Sequence, residues 1–525
     1  MALREYSPKQ KIMFWLPPQD ALPEDHLCFV VDEIVEQLDL SIFPDRAGTV
    51  GAPAYHPRLL VKVLFYGYAT GTFSSRGLMR AIQENLAYTF LTRQQFPDFR
   101  TISDFRKDAT SVPCIRDNLP AIKDIFIQIV RVSREMGMVK LGRVAIDGTR
   151  LKANANKEKT YTEDELQKEI AEIEKALRES IEIDIEEDKR YGENNSGEEM
   201  PEHLRKSYQR IEKLKSAMKE LRSKGTKRIN LTDPDSKCMK KGKYEMDYNC
   251  QASVDDGNGI IVSADVTTNP SDQTQLKPQV EQIEVNTGKL PEKVLADAGY
   301  HSMANLSYLE GKNIDSYIPS GDQARAKKKK YKDKEQPFDK DKFTYVKEED
   351  IYLCPEGRKL TKWRYQRKQR VTIYRGEGCK DCVSRGLCTR SKCGVRLLSR
   401  YDKEEVLERM RIKLESEEGK GEYKKRGITI ELLFGHFKEN LKFRQFYCRG
   451  RKKVLGEFLL LCIGYNLKKI ATIEKIRRKN KIKQNDLDKD SIDKSFLAQI
   501  KRFFSIKFFY LRKLEQLSPK FCGFC

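Results

Sequence analysis

Apolar positions recur at helical spacing over much of the first 140 residues. In "HPRLLVKVLFYGYATG", Leu59, Leu60, Val63, Leu64, Tyr66 and Gly67 follow that spacing, and Gly71 marks the turn after it. "SSRGLMRAIQENLAYTFL" repeats the pattern from Leu78 through Ile82 to Leu86 and Phe90. In "PDFRTISDFRKD", Thr101 or Ser103 is suited to cap a further helix. Arg76, Arg80, Arg93, Arg100 and Arg106 stud these segments. They predict either a helix-turn-helix-like DNA reader or a helical packing or dimerisation domain.

From Gly142 the period shortens toward two. "GRVAIDGTRLKAN" reads as a short β run holding Asp147. Tyr248, Cys250, Ala252 and Val254 alternate, a turn follows at Asp256–Gly259, and Ile261 to Val266 supplies the return strand of a hairpin. "DQTQLKPQVEQI" then predicts a helix, "EKVLADAGY" a buried strand ending at Asp297, "SMANLSYLEGKN" a helix and "IDSYIPS" a strand. A later helix holds Glu431. Three strands, then helix, strand, helix, strand and a closing helix is the order of an RNase H-like α/β core.

Two insertions interrupt that order. Residues 157–243 place sparse apolar positions (Leu166, Ile170, Ile173, Leu177) among Glu and Lys, the pattern of a solvated helical hairpin. Residues 303–420 contain the basic run "ARAKKKKYKDK", a β-like segment and a cysteine cluster. The expected organisation is a helical N-terminal domain over 1–140 and a catalytic core over 141–302 and 421–475. To these are added the two insertions and a basic-aromatic tail over 476–525 that includes "KRFFSIKFFYLRKL".

Composition narrows the function. The chain has 525 residues, 39% of them apolar and 34% charged, enough for several cores with highly charged faces. No run of about 18 apolar residues is present, so no membrane span is expected. The most apolar stretch, Phe458 to Gly464, suits a buried helix. The start "MALREYSPKQ" lacks the apolar core of a signal peptide, which points to a cytoplasmic, nucleoid-associated protein. A formal net charge of +22 favours a polyanionic partner, because neutralised phosphates release counterions; a merely solvated basic surface is the alternative.

Thirteen cysteines in a reducing compartment do not suggest disulfides. Cys354, Cys379, Cys382 and Cys388, with Cys393 as a substitute for Cys388, have the paired spacing of a structural Zn²⁺ knuckle, or are unliganded thiols. The terminal "CGFC" is a lone pair on a tail.

Among 78 acids, Asp147 and Asp297 stand out by their place. Each ends an apolar run and is followed by small residues. Asp255, Asp256, Asp265 and Asp272 read instead as turn, strand and loop acids. At 100° per residue, Ile430, Leu433, Phe434, Phe437 and Leu441 make one helical stripe, with Glu431 and Lys438 on its edge and Lys442 nearby. Acids from two strand ends and one helix can converge on two divalent ions about 3.5–4 Å apart, the requirement for phosphodiester cleavage.

"AIDGTRLKANANK", "LADAGY" and "TIELLFGHFKENLKFRQF" resemble the three acid-bearing motifs of the DDE transposases of bacterial insertion sequences. The resemblance is to those with a Tyr-Arg-Glu-Lys motif around the third acid. The N-terminal helices and "DVTTNPSDQTQL" resemble other parts of the same transposases, and the similarity runs from about residue 10 to 470. It implies a retroviral-integrase-like core in which Asp147, Asp297 and Glu431 hold two Mg²⁺ or Mn²⁺ ions. It implies that Tyr423, Arg426 and Lys438, with Lys442 beside them, contact DNA phosphates. The Arg426–Glu431 gap is one residue longer than the motif's commonest form, which leaves Lys425 as a rival to Arg426. The implied activity is cleavage of element ends and transfer of 3′-OH groups into target DNA, by a homodimer on double-stranded DNA. A nuclease of the same fold, and a non-catalytic zinc-stabilised DNA-binding protein, are the alternatives.

Overall fold

Strand Arg143–Lys152 is the middle of a six-stranded mixed sheet. On one side it pairs antiparallel with the long strand Lys243–Asp255. On the other it pairs parallel with Lys293–Ala296, which in turn pairs parallel with Asp315–Tyr317. The far edge of Lys243–Asp255 carries Ile261–Thr267 and, nearer its start, Lys237–Lys241. Helices Leu276–Thr287 and Met303–Gly311 connect the later strands. Strand and helix order is the one the hydrophobic pattern predicts except for Lys237–Lys241, which falls inside the expected helical insertion 157–243 and adds a strand to the sheet, and Asp315–Tyr317 extends the sheet past residue 302. The computed structural model describes residues 17–485 apart from 44–53, 108–118, 192–201, 327–337 and a few isolated positions. Lys327–Lys330 of the basic run, "KRFFSIKFFYLRKL" and "CGFC" lie outside the described residues.

The helix Pro57–Thr70 is buried along nearly its whole length, because it lies against the long closing helix Arg451–Asn485. Backbone contact between them is close: a Cβ on Gly464 would stand 2.6 Å from Ala69 N and 2.9 Å from Tyr68 C, so only glycine fits. Phe458 to Ile463 are fully buried, as their apolar run predicts. One apolar cluster runs from Cys28 to Ile470 and joins the N-terminal helices to the sheet.

Arg106, expected among the cations of a DNA-reading face, instead points into this core. Its Nη1 donates to Phe73 O (2.6 Å) and Tyr68 Oη (3.2 Å) and lies 4.0 Å from Glu457 Oε1. Tyr68 Oη donates to Glu457 Oε1 (3.2 Å), while Glu457 Oε2 accepts from the backbone N–H groups of Tyr447 and Cys448 at 3.0 and 2.9 Å. A buried guanidinium needs such partners, and Nη1 has them, while Nε is buried without one. Arg93 is likewise engaged, with Asp32 at 2.9 Å.

Helices Glu163–Tyr191 and Glu202–Lys224 form the expected hairpin, with a small core of their own around Leu166, Ile170, Leu177, Leu214 and Leu221. Residues 344–401 form a separate five-stranded antiparallel sheet packed around Phe343, Tyr352, Leu360, Tyr374 and Leu398.

Candidate active site

The parallel register pairs Ile146 with Ala296, so Asp147 and Asp297 are the next residues on neighbouring chains about 4.8 Å apart. Asp147 is not strand-terminal, as its apolar run suggested. The strand continues to Lys152 because its antiparallel partner continues, while its parallel partner stops at Ala296. Asp147 therefore sits mid-strand at the point where one neighbour ends and space opens. Asp147 Oδ1 accepts from Gly148 N, and Asp297 Oδ1 from Gly299 N, each at 2.8 Å. Burial pushes the Asp147 carboxyl up to about 6; Arg426 opposes that rise and Asp297 adds to it. Asp297 is raised too, chiefly by burial.

Glu431 comes from a helical run docked through Ile430, Leu433, Phe434, Phe437 and Leu441, all buried as the stripe predicts. The run is not a regular α-helix. Two π-helical turns, Gly427–Glu431 and His436–Asn440, flank a short α segment. The first absorbs the extra residue between Arg426 and Glu431, since a π turn takes one residue more than an α turn. Arg426 then bridges two acids, with Nη1 3.0 Å from Asp147 Oδ2 and Nη2 3.0 Å from Glu431 Oε1. Its guanidinium carbon lies 5.8 Å from the Tyr423 ring centroid. Lys425 pairs elsewhere, with Glu422 at 2.6 Å. Lys438 Nζ donates to the Thr149 hydroxyl, two residues beyond Asp147.

Lys442 departs from the expected flank. The helical run ends at Asn440, and Lys442 follows in left-handed backbone (φ 58°). The wider π turns and this early end break the 100° periodicity that had aligned it with Glu431 and Lys438.

Among the described residues, no three Asp, Glu, His or Cys side chains converge closely enough to hold an ion. Around these acids the reason is visible: the Arg426 guanidinium occupies the space between Asp147 and Glu431. It stands in for a cation, and the hard oxygens facing it are of the kind that bind Mg²⁺ or Mn²⁺. The donor set therefore fits a divalent ion.

A buried polar stripe lies beside the acids. Along Lys243–Asp255, Asp247, Asn249, Gln251, Ser253 and Asp255 alternate with the apolar face and are themselves buried. Asn249 Nδ2 and Gln251 Nε2 donate to Asp272 Oδ1 at 2.6 and 2.7 Å, and Tyr300 Oη donates to Gln251 Oε1. Asp272, read from sequence as a loop acid, thus stands beside Asp297. The signal for it was a strand polar at every second position inside a chain whose neighbouring strands are apolar.

Cys354, Cys379, Cys382 and Cys388 line one cavity of ≈ 20 Å³ together with Phe338, Phe343 and Leu360. All are free thiols, and Cys393 is exposed and outside that lining. Burial raises Cys388, Arg396 opposes it, and the other three thiols add to the rise. The four thiols have the soft-ligand chemistry of a Zn²⁺ site, although no three of them converge closely enough to hold an ion as they stand.

Residues 353–471 match a family described as the transposase DDE domain. That match defines the class: an enzyme of DNA cleavage and strand transfer, which uses divalent metal ions. Residues 17–108 match a transposase domain of the DUF772 type, so both matched segments are similar to transposase domains. The DDE match holds Glu431, Tyr423, Arg426, Lys438 and the four cysteines, but neither aspartate. No curated protein matches the chain. A solved structure, the piggyBac transposase synaptic complex with hairpin DNA, aligns with 11% identity over 96% of this chain and 84% of that one. Its TM-score of 0.31 is too low to establish a shared fold. No described helix is long and apolar enough to cross a membrane.

Proposed function

We propose that this transposase binds the ends of an insertion sequence, cleaves them hydrolytically and transfers the 3′-OH ends into target DNA, acting as a homodimer on DNA. The observation that carries the reading is the meeting of Asp147, Asp297 and Glu431, from segments far apart in sequence, around one guanidinium at the end of a parallel strand pair. Arg143–Lys152 at the sheet's centre, antiparallel to Lys243–Asp255 on one side and parallel to Lys293–Ala296 and then Asp315–Tyr317 on the other, supports an RNase H-like core.

In this reading Asp147, Asp297 and Glu431 hold two Mg²⁺ or Mn²⁺ ions, which neutralise charge on the phosphate and activate the attacking water or hydroxyl. The acids must be deprotonated to do so. Lys438, anchored beside Asp147 through Thr149, and Arg426 with Tyr423 orient the backbone phosphate. Residues 1–140 engage DNA, 141–302 and 421–475 carry the chemistry, and 157–243 and 303–420 are inserted into it. Cys354, Cys379, Cys382 and Cys388 hold a structural Zn²⁺ that adds stability to the small second sheet.

Asp147→Ala and Glu431→Ala should each abolish cleavage of element ends in Mg²⁺, and survival of cleavage in either variant would overturn the three-acid site. Cutting without joining of donor ends to target DNA would make the protein a nuclease. Zinc content should fall in Cys379→Ser/Cys382→Ser protein, and undiminished zinc would refute that part. Inverted repeats flanking the reading frame are the expected DNA substrate.

A further inference from the structure

Two glycines shortly after the aspartates have no room for a side chain, and Asp272 borders both: it crowds Gly148 together with Gln251, and it is in ordinary contact with Gly299, whose space is closed by Asp297 itself. A Cβ on Gly148 would stand 2.7 Å from Asp272 Oδ1 and 3.0 Å from Asn249 Oδ1, and would overlap the Gln251 amide. A Cβ on Gly299 would stand 3.5 Å from Asp272 Oδ2 and 2.9 Å from Asp297 Oδ1. Asp272 thus lies against the backbone just after Asp147 and just after Asp297. One of its oxygens takes two amide donors, from Asn249 and Gln251, both buried. Those amides are fixed in turn: Gln251 Nε2 also donates to Asn249 Oδ1 (3.0 Å), Asn249 Nδ2 to Asn269 O (3.1 Å), and the Tyr300 hydroxyl to Gln251 Oε1. The orientation of Asp272 is therefore set from below by a satisfied network, and its second oxygen is directed toward Gly299 and Asp297.

We propose that Asp272 is a positioning residue of this site: pinned by Asn249 and Gln251, it holds a second negative charge against Asp297, so that a divalent cation is required to balance the two strand ends. The inference rests on the reading of Asp297 as a metal ligand. Arg426 bonds Asp147 and Glu431, and no ion pair joins it to Asp272 among the described residues. The Arg426 charge also reaches Asp297, but its hydrogen bonds go to Asp147 and Glu431, so one guanidinium is shared among four carboxylates and the excess negative charge favours an external cation. Carboxylates and amides behind the ligands of a metal site commonly tune its affinity about 10–100-fold.

Asp272→Asn is the test, in the full-length protein. The asparagine carbonyl can still accept from Asn249 and Gln251, and its amide can donate to Asp297. Mn²⁺ binding, followed by the loss of the free-ion EPR signal, should weaken about 10–100-fold. Thermal stability in EDTA should be unchanged or higher, and the stabilisation by added Mg²⁺ should shrink. Wild-type Mn²⁺ affinity in the variant would overturn the proposal. So would a lower melting point in EDTA with an undiminished Mg²⁺ effect, since that is the signature of a purely structural acid. Asp297→Asn serves as the reference. If it too binds Mn²⁺ like the wild type, the metal-ligand reading of Asp297 fails with the proposal. If it loses binding while Asp272→Asn does not, only the proposal fails.

Discussion

Replacing Arg426 by Gln asks how much of the metal-free site depends on a guanidinium. The side chain is only 13% exposed and bonds two carboxylates at 3.0 Å each. The two bonds are unequal in worth. Glu431 is 62% exposed, and an exposed pair contributes about 0–1 kcal/mol. Asp147 is 17% exposed, and leaving a buried charge unpaired costs about 3–5 kcal/mol. Asp147 has an escape, because with its carboxyl already raised to about 6 it can protonate near neutral pH, which limits the cost to roughly 3 kcal/mol. For a chain of this size that is a fall of roughly 3–4 °C in melting temperature. Melting in EDTA and in Mg²⁺, by differential scanning fluorimetry at pH 7.5, should show that fall in EDTA. Mg²⁺ should then raise the variant by more than it raises the wild type, because the ion replaces the missing cation. Equal Mg²⁺ shifts in both proteins, or no fall in EDTA, would refute the view that Arg426 balances these acids.

Other perturbations follow from the same geometry. Gly148→Ala drives a methyl into Gln251 and Asp272 and should cost about 1–3 kcal/mol by overpacking, with loss of end cleavage measured alongside melting. Glu457→Ala strands Arg106 in the core and should cost about 3–5 kcal/mol; adding Arg106→Met should recover part of it in urea unfolding. For pH, Asp147 is raised in the folded state, so its contribution to metal-free stability is full below its unfolded value near 3.8 and is lost as pH rises through about 6. Metal-free protein should therefore lose this contribution between pH 4 and 7 in isothermal denaturation. Mg²⁺ uptake should strengthen over the upper part of that range, and release of protons on Mg²⁺ addition near pH 6 is the direct check.

Much of this was legible in the chain. Alternation at Tyr248–Val254, the apolar runs before Asp147 and Asp297, and the stripe through Phe437 correctly predicted the sheet and the docked helix, because burial dictates period. What was not legible depends on neighbours. The strand through Asp147 is lengthened by pairing with a distant partner, which no local pattern contains. Arg106 looked like another surface cation, and only the arrival of Glu457, 351 positions later, makes its burial affordable. The polar half of the Lys243–Asp255 alternation reads as a solvent face until the loop with Asp272 covers it. Lys442 was misplaced for a different reason: the 3.6-residue period assumed for its helix is not the period the helix adopts.

That irregular helix bears on how such proteins diverge. Where a helix carries a surplus residue as a π turn, the sequence interval between two groups is no longer a measure of their separation in space. Ile428 is exposed and Thr429 half-buried within that turn. Deleting Ile428 should relax the turn to an α turn and keep Arg426 opposite Glu431, so insertion and deletion can pass through this helix without dispersing its charges. Alignments that fix the interval will misassign the arginine in any relative that has gained or lost that residue.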